Sequence, residues 1–159
     1  MLIKVEIISF AIDSSQNIPL VILKECNGER TIPILIGSSE ASAIAIKSLD
    51  INPERPLTID LANLIMMELG GTLKRVVIYD LIDQIFLARL QITTEKHTHI
   101  IDCRPSDAIA LALRCESNIF IDEIVFNKND RNHSISKKDT LKHTIANIDT
   151  LDFGRYYLD

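Results

Sequence analysis

The sequence predicts an α+β domain in which a β-β-β-α unit occurs twice, its mixed or antiparallel sheets packed around buried helices. Two observations lead there. Runs dominated by Val, Ile and Leu, separated by turn-forming residues, come in groups of three ahead of each of two Ala-rich apolar segments. SEASAIAI at residues 39–46 also lies over SDAIALAL at residues 106–113 at one offset, 106 − 39 = 67, and at that offset Thr31 falls on Thr98 and Leu23 on Leu90. With 159 residues and 47% hydrophobic content, the chain is long enough to bury one core.

In chain order, residues 3–12, 19–25 and 30–36 read as strands, with Asn27-Gly28 as the turn between the second and third. A helix begins near Ser38 and runs through SSEASAIAIKSL, which closes a first repeat of about residues 1–50. The linking segment RPLTIDLANLIMMELGG, residues 55–71, predicts a helix over about 56–70: Thr58 caps it, Asp60 lies in its first turn, and Gly70 supplies a left-handed residue after its end. This helix is apolar on most faces, with Met66-Met67 as core filling, so it is expected at the centre with both repeats packed around it. The second repeat, about residues 72–117, has strands near 73–79, 85–93 and 98–103 and a helix from Pro105. These elements make one domain over residues 1–126. Residues 127–159 form an appendage that opens with NKNDRNHSISKKDTLKH, where Lys128, Arg131, Lys137, Lys138 and Lys142 stand against Asp130 and Asp139, 5 − 2 = +3. That segment reads as a solvated loop leading to a short helix over about 140–148, with a patch that guides nucleic acid as the alternative.

Net charge of −5 and a pI near 5.3 exclude a protein that coats nucleic acid by general attraction, though not one that meets phosphate through a few placed arginines. Cys26, Cys103 and Cys115 are odd in number and lack CxxC spacing, which predicts reduced structural thiols and a cytoplasmic setting. The N-terminal residues read as a strand and not a signal peptide, and no apolar stretch reaches membrane-spanning length. There is no Walker loop, GxSxG or HExxH, and DFG at residues 152–154 stands without the other kinase motifs.

Chemistry is concentrated where polar residues open apolar helices. CRPSDAIALALR, residues 103–114, sets Arg104, Pro105, Ser106 and Asp107 before a buried run, and Arg55-Pro56-Leu57-Thr58-Ile59-Asp60 repeats that grammar; Ser38, Ser39 and Glu40 start the first repeat helix likewise. Taken singly, each is a helix cap with an internal Arg-carboxylate pair, and a first-turn Asp→Asn change should then leave folding nearly intact. Brought together, Glu40, Asp60 and Asp107 form a catalytic and metal-binding set for a divalent cation such as Mg that activates water, while Arg55, Arg104, Ser106 and Thr58 bind the substrate phosphate. His97 and His99 share a strand face but adjoin a polar turn, and read as exposed turn residues.

Three ordered motifs, IGSSEASAIA (residues 36–45), RPLTID (55–60) and DCRPSDAIALALR (102–114), resemble the bifunctional nuclease domain family of bacteria and plants over roughly residues 1–126, and the terminal DFGRYYL is similar to tails of bacterial members. The resemblance implies an α+β fold and activity on DNA and RNA, with no catalytic residue that transfers. Many members carry histidine where this chain has Ile59. If that histidine is an acid or base, Ile59→His should raise turnover. Two functions stand: a metal-assisted nuclease hydrolysing phosphodiesters, or a non-catalytic module that binds an anionic ligand or a protein. Exposed strand edges or apolar faces left by two sheets predict a homodimer, and nothing predicts a membrane partner.

Overall fold

The computed structural model describes residues 1–13 and 17–136. The elements run β1 (Leu2–Asp13), β2 (Ile18–Glu25), β3 (Thr31–Leu35), α1 (Ser38–Ser48), α2 (Thr58–Glu68), β4 (Thr72–Ile82), β5 (Ile85–Thr93), β6 (Thr98–Cys103), α3 (Pro105–Arg114), β7 (Asn118–Asp122) and α4 (Glu123–Ser136). The order β-β-β-α occurs twice, and β2 and β5, β3 and β6, and α1 and α3 each start 67 residues apart (85 − 18, 98 − 31, 105 − 38). Both groups of strands join one seven-stranded sheet, β3-β2-β1-β7-β4-β5-β6. β7 is the seam: it runs antiparallel to β1 and parallel to β4, which makes the sheet mixed.

Val76, Val77 and Ile78 are all buried, so β4 is covered on both faces. α3 and α4, which both pack on β4 and β7, provide the two covers. α3 also touches β3, β5, α1 and α2, and buries six of its ten residues, including Ile109 at 0% exposure. It is the hub. α2 does not hold the central position its composition predicts: none of its residues is buried, because only a narrow stripe of it rests on α3. An apolar helix has been left at the periphery.

Two local features depart from the sequence reading. Residues 127–136, expected as loop, continue α4. Asn and Ser are poor helix formers, but Val125 and Phe126 are locked in the core, and Lys128 Nζ donates to Asp80 Oδ1 of β4 at 2.5 Å, so tertiary contacts hold the first turns. The helix expected over 140–148, Lys137, Lys138, Asp139, Lys142 and the DFG tripeptide lie outside the described residues. Asn27-Gly28 belongs to a longer connection, residues 26–30, and not to a two-residue turn. A Cβ on Gly28 would come within 1.9 Å of the Glu25 carboxylate that folds back over the turn to Arg30, so a larger residue there would displace that side chain. Arg30 Nε donates to Glu25 Oε1 at 2.8 Å and stacks its guanidinium 4.5 Å above the Phe126 ring, which ties the β2–β3 connection to α4. Gly70 does take the left-handed conformation after α2, with φ +75°.

Two stability measurements check this arrangement. Ile109→Ala should cost about 2–5 kcal/mol in urea unfolding, as a cavity at a fully buried position. The hydrogen bond from the Arg30 guanidinium holds the Glu25 carboxyl below its ordinary value of 4.5, against burial that pushes it up. A folded value below the unfolded one means that the pair's stabilisation is complete above pH 4.5 and is lost as pH falls through the folded value. The gap in urea midpoint between the wild type and Glu25→Gln should therefore be widest near neutral pH and narrow on acidification.

Candidate functional site at the starts of two helices

α3 opens on Arg104 as its N-cap, followed by Pro105, Ser106 and Asp107. Proline suits the first helical position, and the third position turns the Asp107 carboxylate back toward the cap. Arg104 meets it two-pronged, Nε donating to Oδ2 at 2.7 Å and Nη2 to Oδ1 at 2.9 Å. The same Nη2 donates to Glu40 Oε1 of α1 at 2.8 Å. Glu40 and Asp107 stand 67 residues apart (107 − 40), each in the third position of its helix, so two equivalent carboxylates share one guanidinium.

The matching cap position of α1 is Gly37 (104 − 67), which explains how the sharing is possible. A Cβ on Gly37 would approach Glu40 Oε2 to 2.2 Å, so glycine leaves the carboxylate free to lie over the helix start. There Glu40 accepts from its own backbone N–H and from Ser39 Oγ, at 3.0 Å, as well as from Arg104. These bonds, the backbone N–H foremost, hold its carboxyl below the usual range although burial opposes them. Arg104 is raised above its already high value, first by the hydrogen bonds to Asp107, and is charged at every accessible pH. Its side chain is 65% exposed, and the two N–H bonds of Nη1 have no partner among the described residues. The cluster sums to one cation and two anions, offset by the partial positive ends of two helices.

Asp60 does not join them. Its Oδ2 accepts from the Leu57 backbone N–H at 2.8 Å, closing half of a capping box at the start of α2, and its Oδ1 accepts from Arg114 Nε. Arg114 is the last residue of α3, seven residues or about 10 Å of helix rise from Asp107. Its guanidinium is nearly buried, 5% exposed, and also donates to the backbone oxygens of Ala110 and Ala43 at 3.1 Å. The expected set of three carboxylates is thus split between the two ends of α3, and among the described residues no three His, Cys, Asp or Glu side chains are placed to hold a metal ion. The residues present do not fit the divalent site expected of them.

Of the four residues expected on phosphate, only Arg104 reaches the cluster. Arg55 is exposed in the connection ahead of α2 and has no partner among the described residues. Thr58 is exposed at the first helical position; Leu57 is the cap, and Asp60 performs the capping. Ser106 is buried, turned inward because α3 is covered from its first turn. Ile59, where histidine is common in similar proteins, packs against the core. His97 and His99 are exposed beside the β5–β6 turn, ring centroids 6.2 Å apart, with no third ligand near. Burial pushes the Cys103 thiol up to about 11 and also raises Cys115, whose Sγ donates to Asn63 Oδ1 at 3.1 Å, so neither offers a thiolate; Cys26 is exposed. Sequence reasoning missed the Arg114–Asp60 pair. Its signal was an arginine at the end of a run that is otherwise apolar, a position that demands a buried acceptor.

The family model for the bifunctional nuclease domain matches residues 21–134. Two uncharacterized proteins of Mycobacterium tuberculosis, MT1877 from strain CDC 1551 / Oshkosh and Rv1829 from strain H37Rv, are each 39% identical over 122 residues, covering 77% of this chain and 73% of their own. The chain belongs to the bifunctional nuclease domain family. Among the described residues no helix is long and apolar enough to cross a membrane.

The two ends of α3 should respond differently to substitution. Arg114→Ala strands Asp60 and empties a buried site, and should cost about 3–5 kcal/mol, toward the lower end because Asp60 is 27% exposed and regains some water. Asp60→Asn should also destabilise measurably, against the expectation for a simple cap. Asp107→Asn, on an exposed pair, should cost about 1 kcal/mol or less. Urea unfolding of the three variants checks the order.

Proposed function

We propose that this protein is a nuclease acting on phosphodiester bonds of DNA and RNA, and that substrate phosphate is met at the Glu40–Arg104–Asp107 cluster. The observation that carries the reading is a single exposed guanidinium, oriented by two carboxylates at two adjoining helix starts, with one nitrogen left to donate. Nη1 can bind a non-bridging phosphate oxygen, while helix amides favour the anion. Glu40, held ionised, accepts a proton from a water whose oxygen bonds to phosphorus as the P–O ester bond breaks, and the leaving oxygen takes its proton from solvent. The lowered pKa of Glu40 makes it a weak base, so the reading predicts slow turnover. Substrate is recognised by a few placed groups and not by overall charge, which is −5. A divalent cation such as Mg would have only Glu40 and Asp107 of its three expected ligands, both engaged by Arg104, and no step is assigned to it. A cytoplasmic setting, with nucleic acid as the partner, belongs to the same proposal.

A non-catalytic module that binds an anionic ligand or a protein is the second reading. It is favoured by Ile59, which removes the motif histidine, and by the pairing of Glu40, Asp60 and Asp107 with arginine.

Cleavage of single-stranded DNA and RNA, with and without chelator, should be compared for purified wild type, Arg104→Ala, Asp107→Asn and Ile59→His. Arg104→Ala should lower the rate by about 10²-fold, the scale for removing one charge-stabilising donor. Ile59→His should leave it unchanged, since residue 59 lies on α2 beside the Asp60–Arg114 pair. A rise in Ile59→His would move the reacting centre to that end of α3. Loss with chelator would bring back a metal, and no cleavage by any of the four would select the binding module.

A further inference from the structure

Two residues before Arg104 the chain carries a polar group that the proposed site does not use. Asp102 and Arg104 are exposed and Cys103 between them packs against the core, so along this extended stretch Asp102 and Arg104 leave the chain on the same side. Asp102 stands directly opposite Arg89 of β5, and its Oδ1 accepts from the Tyr79 hydroxyl of β4 at 3.1 Å. Arg89 lies over the Tyr79 ring, its guanidinium carbon 5.0 Å from the centroid. Ile100, the neighbouring residue of β6 on this side, is 57% exposed, so among the described residues nothing covers the surface there.

The chemistry of this trio says what fits it. Arg89 is exposed and has no hydrogen-bond or ion-pair partner among the described residues, so the Tyr79 ring holds it from one side while the other is open to solvent. The charges of Arg89 and Asp102 cancel, and a phosphate is better served at Arg104. What remains is an aromatic ring beneath a planar cation, and guanidinium planes and aromatic rings are the surfaces on which unpaired nucleobases stack.

We propose that Arg89 and Tyr79 form a base-stacking subsite beside the Glu40–Arg104–Asp107 cluster, and that the nucleic acid met there is single-stranded. The inference rests on the reading of that cluster as the phosphate site. A strand whose phosphate is bound by Arg104 lays a neighbouring base over the Arg89 guanidinium. In a duplex the bases are already stacked within the helix, so only an unpaired strand can do this. Asp102 is a positioning residue: it anchors the Tyr79 hydroxyl and opposes Arg89 in charge, which keeps both beneath the base.

Fluorescence anisotropy of a short labelled oligothymidylate, read before cleavage, tests this on the full chain. Wild type should bind it more tightly than the same oligomer annealed to oligoadenylate. Arg89→Ala should weaken binding of the single strand about 10-fold, within the range for one stacked base, and leave the duplex unaffected. Arg89→Lys should be as weak as Arg89→Ala, since it keeps the charge and loses the planar group. Full affinity in Arg89→Lys would make the contact an ionic one to phosphate and overturn the proposal. Both variants change an exposed side chain outside the core, and unchanged far-ultraviolet circular dichroism checks that they fold. Arg104→Ala separates this inference from the reading beneath it. Weaker binding in Arg104→Ala with none lost in Arg89→Ala would overturn the subsite and leave the phosphate site standing; the reverse would keep the stacked base and remove the phosphate from Arg104. A wild type that does not bind the oligomer, or binds the duplex as tightly, would overturn the proposal.

Discussion

A nearly buried guanidinium organises this molecule. Arg114 closes α3, and its donors reach a carboxylate on α2, a backbone oxygen on α1 and one in its own helix. A charge so placed is tolerated only when it is paired and hydrogen-bonded, and its three acceptors draw the three helices together at that point. α3 can then be apolar along its length and lie against both halves of the sheet. The position of α2 follows: it is held by an ion pair at its start and a narrow stripe of contacts, not by enclosure.

Arg104 does the converse at the other end of the same helix. It is exposed, ties α1 to α3 through Glu40 and Asp107, and keeps donors to spare. One arginine of α3 is thus committed to structure and the other retains capacity for a ligand. The two positions look alike in sequence, each an arginine near Asp or Glu. What separates them is solvent: the same pairing that is obligatory at 5% exposure contributes little at 65%.

Much of the element order was legible because it rests on local rules. The strand runs, the helix starts at Ser38 and Pro105, the 67-residue spacing and the left-handed Gly70 follow from apolar patterning, capping and backbone freedom. β7 was not legible: five residues between two helices make a weak strand signal, and only pairing with both β1 and β4 makes Asn118–Asp122 a strand. α4 failed for a related reason, since residues 127–136 have loop-like composition and are carried into a helix by the anchored Val125 and Phe126. Composition misplaced α2, because an apolar helix can be covered by its own chain or left for another surface, and hydropathy does not distinguish the two.

By itself the sequence determined the α+β class, the family and the residues able to carry chemistry, since these depend on residue type at fixed spacing. Only the tertiary structure decided how those residues are grouped. Glu40 and Asp107 come together because α1 and α3 pack side by side with their starts adjoining, whereas Asp60 is drawn to the far end of α3 by Arg114. Helix starts with one and the same grammar diverge because the destination of a carboxylate is set by the nearest guanidinium in space, and that distance is a property of packing and not of the chain.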